Sequence, residues 1–524
     1  IYTANDSQPT AQVVVTQKGK ITYVGDLEGA KEFVTARHRA INFKGKALYP
    51  GFVDAHAHLA GIGFREMRLN LDSVKSLSHL KEKVAEHVQT LKNNEWIEGR
   101  GWIETHWPEK RFPNRGDVDE LSSGHPLILA RADGHGALVN SKALELAGIT
   151  SQTPDPKGGK IVKDKKGRPT GILLDKAIEL VTKLIPEVSD QDLTQAFIKG
   201  AQRSARLGWT GVHDTSGSWK DYEIIDQLMS ENRMPIRVYK TITATNKGAE
   251  RLLREGPQKK WGGRLSMRSL KVFADGALGS RGAALLHPYH DSPQSKGLMI
   301  IDKKTFVDLQ KQAMQSNIQI RTHAIGDRAN RNILDWFEIA TKDMSLEERK
   351  NLRWRVEHAQ VLHKDDLMRF AKLGLIASMQ PSHAIGDLHF APKRLGAKRL
   401  KGAYAWKSLL ESGVLLAGGS DAPVEQGDPR VEFYAAIERK DLKGYSQKNW
   451  HPEEKLNREQ ALKMFTLWAA YAAFEDEERG SIEVGKYADF TAFSGDIMKV
   501  PAKEIPKLDP IFTVVQGNVV HSLL

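Results

Sequence analysis

The 524-residue sequence contains no cysteine. That excludes disulfide bridges, thiolate zinc sites, iron–sulfur clusters and a cysteine nucleophile. Any metal here must be held by His, Asp, Glu or a lysine-derived ligand. No apolar run reaches the ~18 residues a membrane span requires, so no membrane partner is expected. Basic residues outnumber acidic ones by 77 to 65, a net charge of +12. Yet no block of about five or six like charges occurs, and no nucleic-acid motif accompanies the excess. No nucleic-acid partner is therefore expected. The absence of cysteine, with a first residue that is Ile1 rather than Met, leans toward an exported, periplasmic protein.

What is present is enough apolar material for a large core: 40% of residues are hydrophobic and 27% charged. At roughly 100–200 residues per domain, two or three structural units are expected. Both ends are strand-rich. Residues 11–26 hold two β-prone runs around Lys18-Gly19-Lys20, which reads as a hairpin. Residues 487–493 are strand-like, and short β-prone runs flank Gln516-Gly517-Asn518. Between the ends, eight short apolar runs alternate with amphipathic helical stretches: 51–55, 211–214, 236–241, 270–274, 318–322, 354–357, 375–379 and 414–418. From the second run onward the starts are about 34 residues apart, which suits a βα unit of roughly 30 or more. Eight such units read as an α/β fold, a (β/α)8 TIM barrel, with an open doubly wound sheet as the alternative. The first two starts are 160 residues apart. A large insertion, over residues 66–205, must follow the first strand. It holds Trp96, Trp102 and Trp107 and a hairpin turning at Lys165-Lys166-Gly167.

His56 and His58 sit two apart at the end of the first strand, so their side chains face the same way and can grip one ion. Two unrelated surface histidines are the alternative. His323, His358 and Asp421 each follow a later strand, at the C-terminal end where barrel enzymes place their sites. Four histidines and an aspartate at matching strand ends are hard to explain as packing. Lys271 lies among apolar neighbours, and a buried lysine is rare unless paired or modified. Carbamylated by carbon dioxide, it would be an anion able to bridge two metals about 3.5–4 Å apart. Otherwise its amine reaches solvent or Asp275.

Residues 50–59, PGFVDAHAHL, resemble the opening signature of the amidohydrolase superfamily, and residues 418–423, GGSDAP, resemble its closing motif. The stretches KVFADGALGSR from Lys271, THAIGD from Thr322 and VEHA from Val356 resemble one branch, the YtcJ-like group that includes N-substituted formamide deformylases. Residues 132–135 and 139–141 in the insertion fit the same branch. The resemblance implies a barrel over residues 50–475 and a composite β-sandwich from residues 1–49 and 476–524. It implies that His56 and His58 bind one metal, that His323 and His358 bind the other, and that carbamylated Lys271 bridges them. Asp421 would both ligate and act as general base. The implied cofactor is one or two divalent ions per chain, zinc by expectation, and the implied assembly is a homodimer.

The expected reaction is hydrolysis of a C–N bond, amide or formamide-like and not peptide, in a small-molecule substrate, through a metal-activated hydroxide. An esterase, lactonase or phosphoester hydrolase on the same site, and a non-catalytic scaffold of the same fold, are the alternatives. Substrate contacts are expected from His135 and Asn140 in the insertion, placed over the barrel mouth, from Asp275 and Arg281 after the fourth strand, and from His383 after the seventh. Arg281 can instead anchor a loop. Trp102, His106 and Trp107 line a pocket or pack the insertion, and His213 ends the second strand.

Overall fold

The computed structural model describes residues 1–34, 37–91, 95–104, 107–131, 136–448 and 450–524. They form two compact units, one of residues 1–59 and 201–524, the other of residues 60–200.

The first unit is built on eight parallel strands: β1 (Phe52–Ala57), β2 (Trp209–Asp214), β3 (Arg237–Thr243), β4 (Leu265–Phe273), β5 (Gln319–Ala324), β6 (Arg355–His358), β7 (Ile376–Met379) and β8 (Leu416–Gly418). These are the eight apolar runs of the sequence, and they hydrogen-bond in chain order from β1 to β8. Strands such as β1, β2 and β7 are buried along their whole length. A strand covered on both faces reads as a continuous apolar run, not as an alternation. Helices connect the strands. Trp219–Ser230, for example, follows β2 and is opened by a reciprocal cap between Ser218 and Asp221.

The two outermost strands meet just past β8, where Asp421 N donates to His56 O at 2.7 Å and His58 N donates to Ala422 O at 2.8 Å. A Cβ at Gly419 would lie 2.4 Å from His56 N. Only glycine permits that approach. The result is an α/β fold with a nearly closed parallel barrel, not an open sheet. At the N-terminal strand ends Phe52 packs on Trp209, Phe433, Phe465 and Phe493, a dry aromatic layer.

The chain ends contribute a four-stranded antiparallel sheet, ordered Asn518–Ser522, Pro510–Val515, Phe490–Phe493 and Leu48–Pro50, and a hairpin of Val13–Gln17 with Lys20–Gly25. Ile21 of the hairpin shares an apolar cluster with Leu48, Phe490, Phe512 and Val514 of the sheet. Leu48–Pro50 leads straight into β1, so this layer fixes where the site-bearing strand begins.

The second unit is a six-stranded mixed sheet, ordered Leu69–Asn70, Ile97–Trp102, Leu127–Arg131, Gly136–Val139, Pro169–Asp175 and Gly159–Lys163. Period-two alternation separates its faces: Leu127, Leu129 and Leu138 join one apolar cluster, while Ile128, Ala137 and Val139 join another. Trp102 and Trp107 lie in the first cluster, their indole N–H groups donating to Leu129 O and Val74 O. Packing of the insertion is therefore their role. Among the described residues no helix is long and apolar enough to cross a membrane.

Candidate metal centre

β1 delivers His56 and His58 to the C-terminal end of the barrel, and Asp54 fixes the backbone at His56. Its carboxyl accepts from His56 N at 3.2 Å, Ser420 N at 2.9 Å and Ser420 Oγ at 2.5 Å, tying β1 to the turn after β8. Burial pushes Asp54 up to about 7, against the pull of those hydrogen bonds.

The ligand atoms of His56, His358 and Asp421 lie within 4.8 Å of one another, and all three residues are buried. His58 Nε2 is 3.0 Å from Asp421 Oδ1, and His56 Nε2 is 3.4 Å from the same oxygen. The His323 ring stands 4.6 Å from that of His358. His383 stacks on His358, with Nε2 3.5 Å from Asp421 Oδ2. The structure thus brings together the strand-end residues singled out by spacing. His358 and Asp421 hold left-handed backbone, at φ of 74° and 57°. Such non-glycine conformations cost energy and cluster at functional sites.

Each of three imidazoles has its Nδ1 engaged behind it: His56 on Glu357 Oε2, His58 on Ser216 Oγ at 2.9 Å, and His358 on Gln380 Oε1 at 2.7 Å. That leaves the Nε2 atoms facing one another. Burial, reinforced by Lys271, lowers His56 and His323 to about 3. Burial and the neighbouring imidazoles hold His358 well below its ordinary value. Neutral imidazole with a free lone pair is the ligand form. Burial alone would raise Asp421, but His56, His58, His358 and His383 overturn this and hold its carboxyl well below the usual range. His323 Nε2 and His383 Nε2 are buried and make no hydrogen bond, although a carboxylate oxygen, of Asp275 and Asp421 respectively, lies 3.5 Å from each. Convergent neutral nitrogens, an ionised carboxylate and unpartnered donor atoms fit a divalent cation.

Lys271 is 1% exposed, its Nζ 3.4 Å from His56 Nε2. Burial lowers it to about 8. Among the described residues no carboxylate pairs with it. Lys240, equally buried on β3, meets Asp214 at 2.6 Å and Asp221 at 3.1 Å. Neither solvent nor Asp275 serves Lys271 as partner.

Several residues expected at the substrate have partners of their own in the structure. Asp275 is 1% exposed and accepts from Ala284 N, Ile325 N and Gly326 N at 2.8–3.0 Å, stapling the loop after β4 to the loop after β5. The Arg281 guanidinium grips Asp291, which Arg394 also engages, the contacts of a loop anchor. His213 is buried with Nδ1 3.0 Å from Arg355. Asn140 caps the helix Ser141–Leu146 and fills all four of its bonding positions. Oδ1 accepts from Leu127 N and Ala143 N, and Nδ2 donates to Ser122 Oγ and His125 O. Asn140→Ala is expected to cost about 0.5–2 kcal/mol of stability and to leave KM unchanged. Denaturant titration with steady-state kinetics reads both, and a raised KM at intact stability would return Asn140 to the substrate. His135 and His106 lie outside the described residues.

Glu357, Arg321, Gln380, Ser216 and Asp54 were not singled out by spacing. The available signal is charge inside a barrel strand: Arg321 and Glu357 are charged residues within short strand-like runs.

A barrel with this donor set at its C-terminal strand ends defines a metallohydrolase class. The sequence matches the amidohydrolase family over residues 39–521, and the chain belongs to that family. It is 33% identical over 533 residues to YtcJ of Bacillus subtilis (strain 168), which carries a provisional amidohydrolase name, covering 99% of this chain and 98% of that protein. It is 26% identical over 543 residues to an N-substituted formamide deformylase of Arthrobacter pascens, covering 99% and 96%. The crystal structure of an uncharacterized metal-dependent hydrolase from Pyrococcus horikoshii superimposes with a TM-score of 0.76 at 28% identity, covering 93% of this chain and 94% of that one. The chain is a metal-dependent hydrolase of the amidohydrolase superfamily.

Proposed function

We propose that the chain hydrolyses a C–N bond of a small N-acyl or N-formyl compound, with Asp421 as general base. The observation that carries this is the meeting of His56, His358 and Asp421 within ligand distance, in a chain similar to a formamide deformylase. His56 and His58 would hold one divalent ion, zinc by chemistry of the donor set, and His323 and His358 a second, with Asp421, in reach of both His56 and His358, as a further ligand. Lys271, unpaired by any carboxylate, would join them as a carbamate. A bound divalent ion supplies Lewis acidity, drawing the pKa of a coordinated water from 15.7 toward about 7.

The chain's own residues do the rest. Asp421 takes a proton from the attacking water as the new C–O bond forms. It then returns that proton to the amine nitrogen as the C–N bond breaks. His56 and His58 face Oδ1, so Oδ2, toward His383, is the oxygen left to carry the proton. His383 is the remaining described candidate for contacting substrate.

The test joins elemental mass spectrometry of the purified chain to a panel of N-formyl, N-acyl, ester, lactone and phosphotriester substrates. One or two zinc-like ions per chain are expected, with chelation abolishing amide turnover and zinc restoring it. No metal after incubation with zinc and bicarbonate would overturn the reading. Turnover of phosphotriesters or esters without any amide would move the activity to the alternative class.

A further inference from the structure

The three imidazoles with an engaged Nδ1 are not backed alike. Ser216 offers His58 a hydroxyl and Gln380 offers His358 an amide oxygen, whereas Glu357 offers His56 a carboxylate. Glu357 is wholly buried, and its other oxygen accepts from Arg321 Nε at 2.6 Å. Arg321 is fixed in turn. Its remaining N–H groups donate to Ala55 O at 2.9 Å, Thr215 Oγ1 at 3.0 Å and Thr241 Oγ1 at 2.8 Å. A guanidinium on β5 thus ties β1, β3 and the residue after β2 to one carboxylate on β6, and that carboxylate ends on His56.

We propose that Glu357, held in place by Arg321, is a positioning residue that sets the tautomer and donor strength of His56, making it the strongest of the imidazole donors. The inference rests on the metal reading above. An outer carboxylate fixes the proton on Nδ1, orients the ring and raises the basicity of Nε2. Because both Glu357 oxygens are engaged, the carboxylate cannot swing away, and His56 inherits that rigidity. The rival account is that Glu357 merely neutralises Arg321 inside the barrel.

Zinc affinity of the full chain, measured by competition with a chromophoric chelator, separates the two in a double-mutant cycle. Glu357→Gln is expected to weaken zinc binding about 10–100-fold and to shift the visible absorption of the cobalt-loaded protein. In a His56→Ala background the same change is expected to matter by less than about twofold, because the ring it acts through is gone. Equal zinc affinity in wild type and Glu357→Gln, or an undiminished loss in the His56→Ala background, would overturn the assignment. Should Glu357→Gln fail to fold with Arg321 unpaired, the Arg321→Gln/Glu357→Gln double variant removes both charges and is read through the same cycle. A wild-type chain without zinc affinity would overturn the metal reading itself. Tight wild-type binding matched by Glu357→Gln would remove only the role of Glu357.

Discussion

Asp421→Asn is expected to lower kcat by about 10²–10⁴-fold, the range that a positioned acid–base group supplies. The substitution is chosen for what it keeps. Asp421 sits at φ 57°, a region that Asn adopts more readily than Ala. Asn also retains an oxygen where Oδ1 faces His56 and His58. What it loses is the ability to take a proton. Metal content should therefore stay close to wild type while turnover collapses. Asp421→Ala, by contrast, should lose metal as well. Measuring kcat and metal content on the same preparations separates the two roles. Near-normal turnover of the Asn variant at full occupancy would leave Asp421 a ligand only. The wild-type carboxyl lies well below its ordinary value of 3.8, so the base form is present throughout neutral pH.

The sequence carries the barrel because its strands are buried on both faces, and such strands show as short, evenly spaced runs with an apolar majority and no strict alternation. It carries the strand-end donors because a histidine or aspartate just past such a run stands out. It does not carry what lies behind them. The partners of the Nδ1 atoms are Glu357, Gln380 and Ser216: Ser216 and Gln380 end the strands next to those of His58 and His358, and Glu357 reaches His56 across the barrel. The two buried lysines make the same point. Lys240 and Lys271 both sit in apolar strands, and only the fold shows that one meets two carboxylates and the other none among the described residues. Asp275, Arg281 and Asn140 read as substrate contacts in the sequence because they occur near strand ends or in the insertion. A polar side chain that staples a loop has the same local signature as one that faces a ligand.

The largest loss of stability away from the site is expected from Asp489→Ala, about 3–5 kcal/mol. Asp489 immediately precedes the strand Phe490–Phe493 and takes a forked contact from Arg237, at 2.6 and 3.1 Å, at the first residue of β3. Its Oδ1 also accepts from Gln516 N at 2.7 Å, and Arg237 lies 4.5 Å from the Tyr487 ring. The pair therefore ties the terminal sheet to the barrel, and both side chains are almost wholly buried. Truncating the carboxylate strands a guanidinium in the interior, which is the source of the cost. Arg237→Met combined with Asp489→Leu removes both charges and should recover most of it. Burial alone would raise the Asp489 carboxyl, but Arg237, Arg479 and the Gln516 N–H together hold it below 3.8. A lowered folded value means stability that is complete above about 3.8 and is lost as pH falls through the folded value. The wild type should accordingly lose more stability on acidification than the Ala variant. Urea midpoints followed from pH 7 to pH 3 read both effects. A shift below about 1 kcal/mol would place the pair among contacts no stronger than a surface ion pair.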